Sequence, residues 1–381
     1  MYRWPELQFG SWNPSEVAYR ARETDSVVQL IEALNNDATR ECALHLLSKN
    51  RAIREEMAPL LWYSVGTISI LLQEIISVYH SLHSPIPMLT DRVSNRVCDA
   101  LVLFEVETAN YKVVPFILYS RCVVSSFVAS ELTFMFSLTC RIVLQCGEFL
   151  SIHYWFQPNY IFGGDQAYGF DHSDFPPATC QPTQTKLPLY LYPLLNNTNK
   201  ERPHQFLRLA SLSVIGALAK VDDPNVINFL LESEVFPCCI RSMEVGDVLS
   251  KTVATYIVYK ILINEEGLRY CCTVAERFFA LVRVLGSMVL KLAEEGQLAE
   301  NPSIRLLKHI IWCYHRLSES PRSCDGLRFF LPVILSDAAF IDIFRGDPSA
   351  VPHLQQLFHN VSNRTSRIQT IEKMIRPLVK G

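Results

Sequence analysis

The chain has 381 residues, of which 49% are hydrophobic, and a formal net charge of −3. This composition excludes a disordered chain, and the nearly neutral charge excludes a protein that coats nucleic acid with a uniformly basic surface. The 14 glycines are few for this length. They argue against a β-rich fold with many tight turns and against a nucleotide-binding fold built on glycine loops.

The 12 cysteines are scattered along the chain, and no CxxC motif occurs. Two adjacent pairs stand at Cys238–Cys239 and Cys271–Cys272. Residues 1–6 carry no secretory hydrophobic segment. We therefore predict reduced, mostly buried thiols in a cytoplasmic and nuclear protein.

Helical patterns dominate the N-terminal part. Residues 1–25 contain two prolines and are predicted to be a loose leader. Apolar residues recur at helical spacing over 27–34, and Asp37 is a suitable N-cap for the second helix. A third helix is predicted to run unbroken over 59–79, and Ser94–Asn95 is predicted to cap a fourth.

A helical unit recurs in the second half of the chain. An apolar helix end followed by an acidic turn occurs at 216–224, 43 residues later at 259–267, and 54 residues after that at 313–321. A polar loop at 293–303 accounts for the longer second interval. Helical units spaced by about 40 to 47 residues are typical of armadillo and HEAT solenoids, in which each unit buries its apolar face against the next.

The segment 106–184 departs from this pattern, because it is aromatic and β-branched and then rich in Gly and Pro. A membrane-associated variant built on 113–156 is one hypothesis. Arg121, Glu131 and Arg141 interrupt the apolar stretch, whereas a spanning helix needs about 20 mostly apolar residues. The preferred interpretation is therefore that no part of the chain crosses a membrane.

Catalytic motifs are absent from the sequence: there is no GxGxxG, Walker loop, HExxH or GxSxG. His80 and His83, and Cys140 and Cys146, lack the further ligands that zinc requires. We predict a protein that is not an enzyme and that has no metal or cofactor.

Basic residues stand at one stage of the repeat: Arg208, Lys251, Arg305 and Lys308. They predict a groove for an acidic peptide or a nucleic-acid backbone, or they are solvated helix residues. The helix over 62–76 is more apolar than one buried stripe requires, which predicts an exposed apolar face that binds another protein.

Five runs of residues carry a family resemblance: 62–75, 94–101, 207–231, 249–255 and 305–309. In these runs the chain resembles the required-for-cell-differentiation family, the armadillo-repeat ninth subunit of the CCR–NOT deadenylase complex. The resemblance implies an all-α, right-handed armadillo-repeat solenoid. It also implies a non-enzymatic adaptor that docks on the NOT scaffold subunit and recruits regulators for messenger-RNA deadenylation, decay and translational repression, with P-bodies among its locations.

The resemblance implies four sets of site residues. They are a scaffold-docking helix at Tyr63, Val65, Ser69 and Ile76; a groove for short linear peptides of RNA-binding regulators at Phe206, Ser213 and Val253; a cleft for single-stranded nucleic acid at Arg208, Lys251, Arg305 and Lys308; and pockets for tryptophan at Arg277 and Arg322. The aromatic walls of those pockets are replaced by Ala275 and Ala280, which removes stacking area. A homodimer is left open, and the alternative function is a nucleic-acid-binding armadillo protein in transcriptional regulation.

The predicted domain organisation has five parts. They are the leader 1–25, N-terminal armadillo repeats 26–104, an irregular insertion 105–186 that interrupts the solenoid, C-terminal repeats 187–345 and a tail 346–381. The insertion replaces about 18 residues of the family pattern. A translated intron or an erroneous gene model is the hypothesis for its origin.

Overall fold

The computed structural model describes residues 26–50, 54–64, 66–82, 89–109, 187–296, 301–346 and 348–362. These ranges contain helices and turns and no strand, which confirms the predicted all-α class. The first six helices are α1 (26–33), α2 (Asp37–Lys49), α3 (Arg54–Tyr63), α4 (Thr67–Ile76), α5 (Tyr79–Leu82) and α6 (Asp91–Ala109).

Eleven further helices follow residue 186 among the described residues. They are α7 (Leu187–Asn196), α8 (Arg202–Lys220), α9 (Pro224–Glu232), α10 (Val235–Val245), α11 (Val248–Ile263), α12 (Glu265–Thr273), α13 (Ala275–Glu294), α14 (Asn301–Ser318), α15 (Pro321–Phe330), α16 (Ala338–Asp342) and α17 (Val351–Val361). Short 3₁₀ turns connect α15 to α17 at Val333–Ser336, Ile343–Gly346 and Pro348–Ala350.

The long helices α6, α8, α11, α14 and α17 pack side by side in that order and form one layer of the solenoid. The helices α7, α10, α13 and α15 pack behind this layer. Each helix buries its apolar residues against both its neighbour in the layer and the helices behind, so the core runs along the whole stack. Helix α17 lies past the predicted repeat boundary at 345 and packs against α14 and α15.

The three predicted helix–turn–helix units are confirmed. Helix α8 ends at Lys220, and the side chain of Asp223 then caps α9 by accepting a hydrogen bond of 2.8 Å from the backbone N–H of Asn225. Asn264 caps α12 in the same way through the N–H of Glu266, at 2.9 Å. The same capping chemistry therefore recurs in two of the three units, whereas Ser320 before α15 makes no side-chain cap.

Three local predictions in the N-terminal part are wrong. The helix predicted over 59–79 is two helices, because Gly66 has a φ of +83°, a left-handed conformation that ends α3 and starts α4. The cap of α2 is Asn36, one residue before the predicted one, and it accepts from the N–H of Ala38 at 3.0 Å. Helix α6 begins three residues before Ser94, whose hydroxyl donates to the carbonyl of Pro203 at 2.8 Å.

Candidate partner-binding surfaces

The layer of long helices α6, α8, α11, α14 and α17 presents one continuous surface. We use the name third-helix face for the surface formed by these five helices. On α8 this surface carries Phe206 and Ser213, and on α11 it carries Val253; all three side chains are half-buried. A Cβ atom built on Gly216 would lie 3.4 Å from Cγ1 of Val253, so small residues on α8 serve close helix packing here. The structure therefore brings the three predicted peptide-groove residues onto one surface.

An aromatic stripe crosses the third-helix face. The ring centre of Tyr256 on α11 lies 5.5 Å from the ring centre of His309 on α14. The ring centres of Tyr259 and Trp312 lie 5.2 Å apart. Trp312 also lies 5.3 Å from His309 and 5.9 Å from His353 on α17. All five side chains are half-buried. We call Tyr256, Tyr259, His309, Trp312 and His353 the aromatic stripe.

The aromatic stripe is not among the sites predicted from the sequence. Its signal is an aromatic pair at spacing i, i+3 on each of two helices, Tyr256 with Tyr259 and His309 with Trp312. Such a pair shares a helix face, but only the alignment of the two helices shows that the pairs meet. Side chains with flat apolar rings and polar edges are well suited to binding peptides and bases.

Burial lowers the pKa values of both histidines of the stripe. Burial lowers the pKa of His309 to about 4. The carbonyl oxygen of Thr252, 3.3 Å from Nδ1, has the opposite effect and raises this pKa. Burial also lowers the pKa values of His315 and His353, whose Nδ1 atoms are 3.0 Å apart. A hydrogen bond at that distance needs one ring to donate and the other ring to be neutral and accept.

Two of the four predicted cleft residues lie on the third-helix face. Arg305 is exposed and Lys308 is half-buried near the start of α14, on the same side of the helix as Trp312. The helical spacing of 305, 308 and 312 places these side chains in one row. This end of the aromatic stripe therefore carries positive charge.

The other two cleft residues lie elsewhere. Arg208 is fully buried, and its Nη2 atom donates to the carbonyls of Asn197 and Asn199 at 2.6 and 2.9 Å. Lys251 lines a cavity between α10 and α13 together with Lys291, and burial followed by that neighbouring charge lowers its pKa. Arg208 is two residues from Phe206, and Lys251 is two residues from Val253. Two residues correspond to about 200° of helix rotation, so neither side chain lies on the third-helix face with Arg305.

The predicted docking helix corresponds to α4 and the end of α3. The apolar residues Ile70 and Ile76 of this helix are buried, so the prediction that the helix over 62–76 exposes an apolar face is wrong for them. The outward side of α4 is polar, with Ser69 half-buried and Gln73 exposed. The side chain of Tyr63 and all of Val65 lie outside the described residues.

The orientation of α4 is held by a buried carboxylate. Glu74 is 2% exposed, and its Oε2 atom lies 2.6 Å from Nη2 of Arg96 on α6. Its Oε1 atom lies 3.7 Å from Nη1 of Arg40 on α2. One side chain therefore ties three helices together and fixes which residues of α4 face outward.

The two arginines of the predicted tryptophan pockets stand on α13 and α15. Arg277 is half-buried, with its Cζ atom 3.7 Å from the ring centre of Tyr270 and its Nη1 atom donating to the carbonyl of Tyr270 at 3.2 Å. Arg322 is exposed at the start of α15. Because Arg277 already stacks on a tyrosine, its flat face is engaged within the chain.

The described ranges contain no metal site and no helix that could span a membrane. No group of three or more His, Cys, Asp or Glu side chains in this part of the chain could hold a metal ion. No helix within it is long and apolar enough to cross a membrane. The eight cysteines in the described ranges are free thiols. The segment of the membrane hypothesis, 113–156, lies outside these ranges.

The stacked helices with one continuous half-exposed surface define an α-helical repeat protein of the armadillo type, a class that presents extended binding surfaces. A model of the Rcd1-like cell differentiation family matches residues 30–124 and 180–361. The chain therefore belongs to this family. The matched segments leave 125–179 between them, a shorter interval than the predicted insertion 105–186.

Two curated relatives agree with the family. The cell differentiation protein rcd1 of Schizosaccharomyces pombe is 38% identical over 337 residues, covering 88% of this chain and 93% of the relative. Protein CAF40 of Saccharomyces cerevisiae is 35% identical over 358 residues, covering 93% of this chain and 77% of the relative. Among solved structures, a designed armadillo repeat protein is similar, with a TM-score of 0.42 and 12% identity over 93% of this chain and 99% of that chain.

Proposed function

We propose that this protein is a non-enzymatic adaptor subunit of the CCR–NOT deadenylase complex, present in the cytoplasm and the nucleus. It docks on the NOT scaffold subunit through α4 and holds short linear peptides of RNA-binding regulators on the third-helix face. The aromatic stripe is the observation that carries the second part of the proposal. Half-buried rings on three helices offer a preformed surface for an extended or helical peptide.

The docking part of the proposal is tested on the outward side of α4. We expect Ser69→Arg with Gln73→Arg to weaken binding to the central helical region of the NOT scaffold about 100-fold, or about 2.7 kcal/mol. Two arginines on this side would keep a partner helix from close contact, while the buried side of α4 is untouched. Calorimetry with the full-length variant measures the affinity.

The matched control is Ser287→Arg with Gln356→Arg, which places the same chemistry on α13 and α17. This control should bind the scaffold within threefold of the parent chain. Docking through α4 would be contradicted if both variants lost the same amount of scaffold affinity. It would also be contradicted if neither variant lost affinity. Circular dichroism of both variants checks that the helices are intact.

Direct binding of single-stranded nucleic acid is the second candidate function. The observation that favours it is the row of Arg305, Lys308 and Trp312, in which two basic residues precede an aromatic ring. Basic residues contact the backbone of a single strand, and bases stack on aromatic rings at about 1–3 kcal/mol each. Arg208 and Lys251 take no part in this version of the cleft.

A salt titration tests this second function. For binding to oligo(A), we expect Arg305→Glu with Lys308→Glu to reduce the magnitude of the slope of log affinity against log salt concentration by about 1.4. Two phosphate contacts are lost, and each contributes about 0.7 to this slope. Fluorescence anisotropy of a labelled strand measures it. The control, Arg269→Glu with Arg283→Glu, changes two exposed arginines of other helices and should keep the parent slope. A parent slope near zero would exclude the second function.

A further inference from the structure

An exposed apolar patch lies at the C-terminal end of the described chain, away from the third-helix face. Phe279 on α13 and Phe330 at the end of α15 meet with their ring centres 5.2 Å apart. Their neighbours Phe329 and Val333 are 83% and 62% exposed, and Phe330 itself is 54% exposed. We call Phe279, Phe329, Phe330 and Val333 the phenylalanine patch. Single exposed apolar residues are ordinary, but a contiguous group marks an interaction site.

The described chain ends against α15, the helix that carries Phe329 and Phe330. The carbonyl of Val361, at the end of α17, accepts a hydrogen bond of 3.1 Å from Nε of Arg328. The carbonyl of Asn360 accepts one of 3.1 Å from Sγ of Cys324. Both donors are on α15, and Arg328 directly precedes Phe329. The described chain therefore ends next to the helix that carries half of the patch. Phe330 lies about 200° of helix rotation from Arg328, so the segment after Ser362 has to pass around α15 to reach it.

The remaining segment, 363–381, has the composition to cover an apolar patch. Ile368, Ile371 and Ile375 recur at helical spacing before Pro377, which ends a helix. Residues 363–376 span about 21 Å as a helix and all 19 residues span about 60 Å when extended, whereas α15, with 10 residues, is about 15 Å long, so the segment is long enough to cross α15 to the patch.

Charge also favours this segment as the occupant. Residues 363–381 contain five Lys or Arg and one Glu, a net charge of +4. Two exposed acidic residues stand close to the patch along the chain, Glu276 one turn before Phe279 and Asp337 four residues after Val333, whereas Asp325 is already paired with Arg328 at 2.8 Å. The segment is also tethered, which gives it an effective concentration near the patch of the order of millimolar, above that of a second chain.

We propose that the apolar residues of 363–381 dock on the phenylalanine patch of the same chain. This contact extends the solenoid by one apolar layer and shields the patch from other proteins. Terminal units of a repeat array need a covering of this kind, because their outer face has no following repeat.

Photo-crosslinking of the full-length chain tests the proposal. Phe330 is replaced by p-benzoylphenylalanine, which keeps an aromatic ring at an exposed position, and crosslinked peptides are identified by mass spectrometry. We expect the main crosslinks to join residue 330 to 363–381. They should fall at least fivefold with Ile371→Asp and Ile375→Asp, and should persist with Gln369→Asp and Thr370→Asp, which add the same charge on the other side of the predicted helix.

Two further controls define the outcome. Mixing ¹⁵N-labelled and unlabelled chains shows whether a crosslink lies within one chain or joins two. Benzoylphenylalanine at Leu249, an exposed apolar position on α11, reports unspecific contacts of the segment. The proposal is overturned by crosslinks between two chains, by the absence of crosslinks to 363–381, or by equal yields from positions 249 and 330.

Discussion

Glu74→Gln is expected to lower the free energy of unfolding by about 2–3 kcal/mol. The substitution keeps the shape of the side chain and removes its charge. The guanidinium of Arg96, 2.6 Å from Oε2, then loses its ion partner at a site where the carboxylate is 3% exposed. Arg96 is 38% exposed and recovers part of its hydration, so the expected loss is smaller than for a fully buried pair.

The measurement is urea unfolding followed by circular dichroism. The control is Glu41→Gln, which removes the carboxylate that Arg92 contacts through Nε and Nη2 at 2.8 Å each. Both side chains of that pair are exposed, so water replaces the lost contact and the unfolding midpoint should not move. Equal midpoints for the two variants would show that Glu74 does not hold α4 in place.

The Glu74 variant also connects stability to function. Because Glu74 joins α4 to α2 and α6, its loss should loosen the helix that carries Ser69 and Gln73. Under the proposed docking model, scaffold affinity should therefore fall in Glu74→Gln and stay unchanged in Glu41→Gln. This comparison separates an orienting role from direct contact, since Glu74 is 2% exposed and does not itself reach a partner.

Gly267→Ala is expected to cost about 3 kcal/mol or more. A Cβ atom at Gly267 would lie 1.9 Å from the carbonyl oxygen of Ile261 and 2.7 Å from its carbonyl carbon. These are backbone atoms of the last turn of α11, so relief requires α12 to move as a unit. Helix α12 packs against α11, α9 and α13, and each of those contacts would be strained.

Gly286→Ala provides the matched control in the middle of α13. The nearest atoms to a Cβ there are Cγ of Pro332 at 3.5 Å and the hydroxyl oxygen of Tyr314 at 3.6 Å, which are ordinary contacts. Alanine is the better helix former, so this variant should gain about 0.5–1 kcal/mol. Thermal unfolding of both variants measures the difference in stability. If the Gly267→Ala chain were as stable as the parent, Gly267 could not lie as close to the backbone of Ile261 as the structure shows.

The predictions from sequence succeeded where the signal was local. The turn at Asp223–Pro224 and the one at Asn264 each combine the end of an apolar helix with a capping side chain, and the sequence predicts both turns. Gly66 shows the limit of such signals. An isolated glycine in a helical pattern is compatible with an unbroken helix, and only its positive φ separates α3 from α4.

Residues at equivalent positions of the repeat were harder to interpret. Arg208, Lys251 and Arg305 stand at one stage of successive units, but only Arg305 lies exposed on the third-helix face. Whether a side chain near the start of a helix is buried depends on which neighbouring segments pack against its side of the helix. For Arg208 this segment is the backbone before α8, whose carbonyls at Asn197 and Asn199 accept its hydrogen bonds.

Helical periodicity, turn chemistry and long matching strings are properties of neighbouring residues, so the all-α class, the repeating helical unit and the family can be predicted from the order of the amino acids. Which surfaces form depends on residues that are far apart in the chain and meet only in the folded stack. The aromatic stripe joins residues of α11, α14 and α17, and the phenylalanine patch joins α13 to α15. These residues meet because the helices align in one register, and that register follows from the packing of the whole stack.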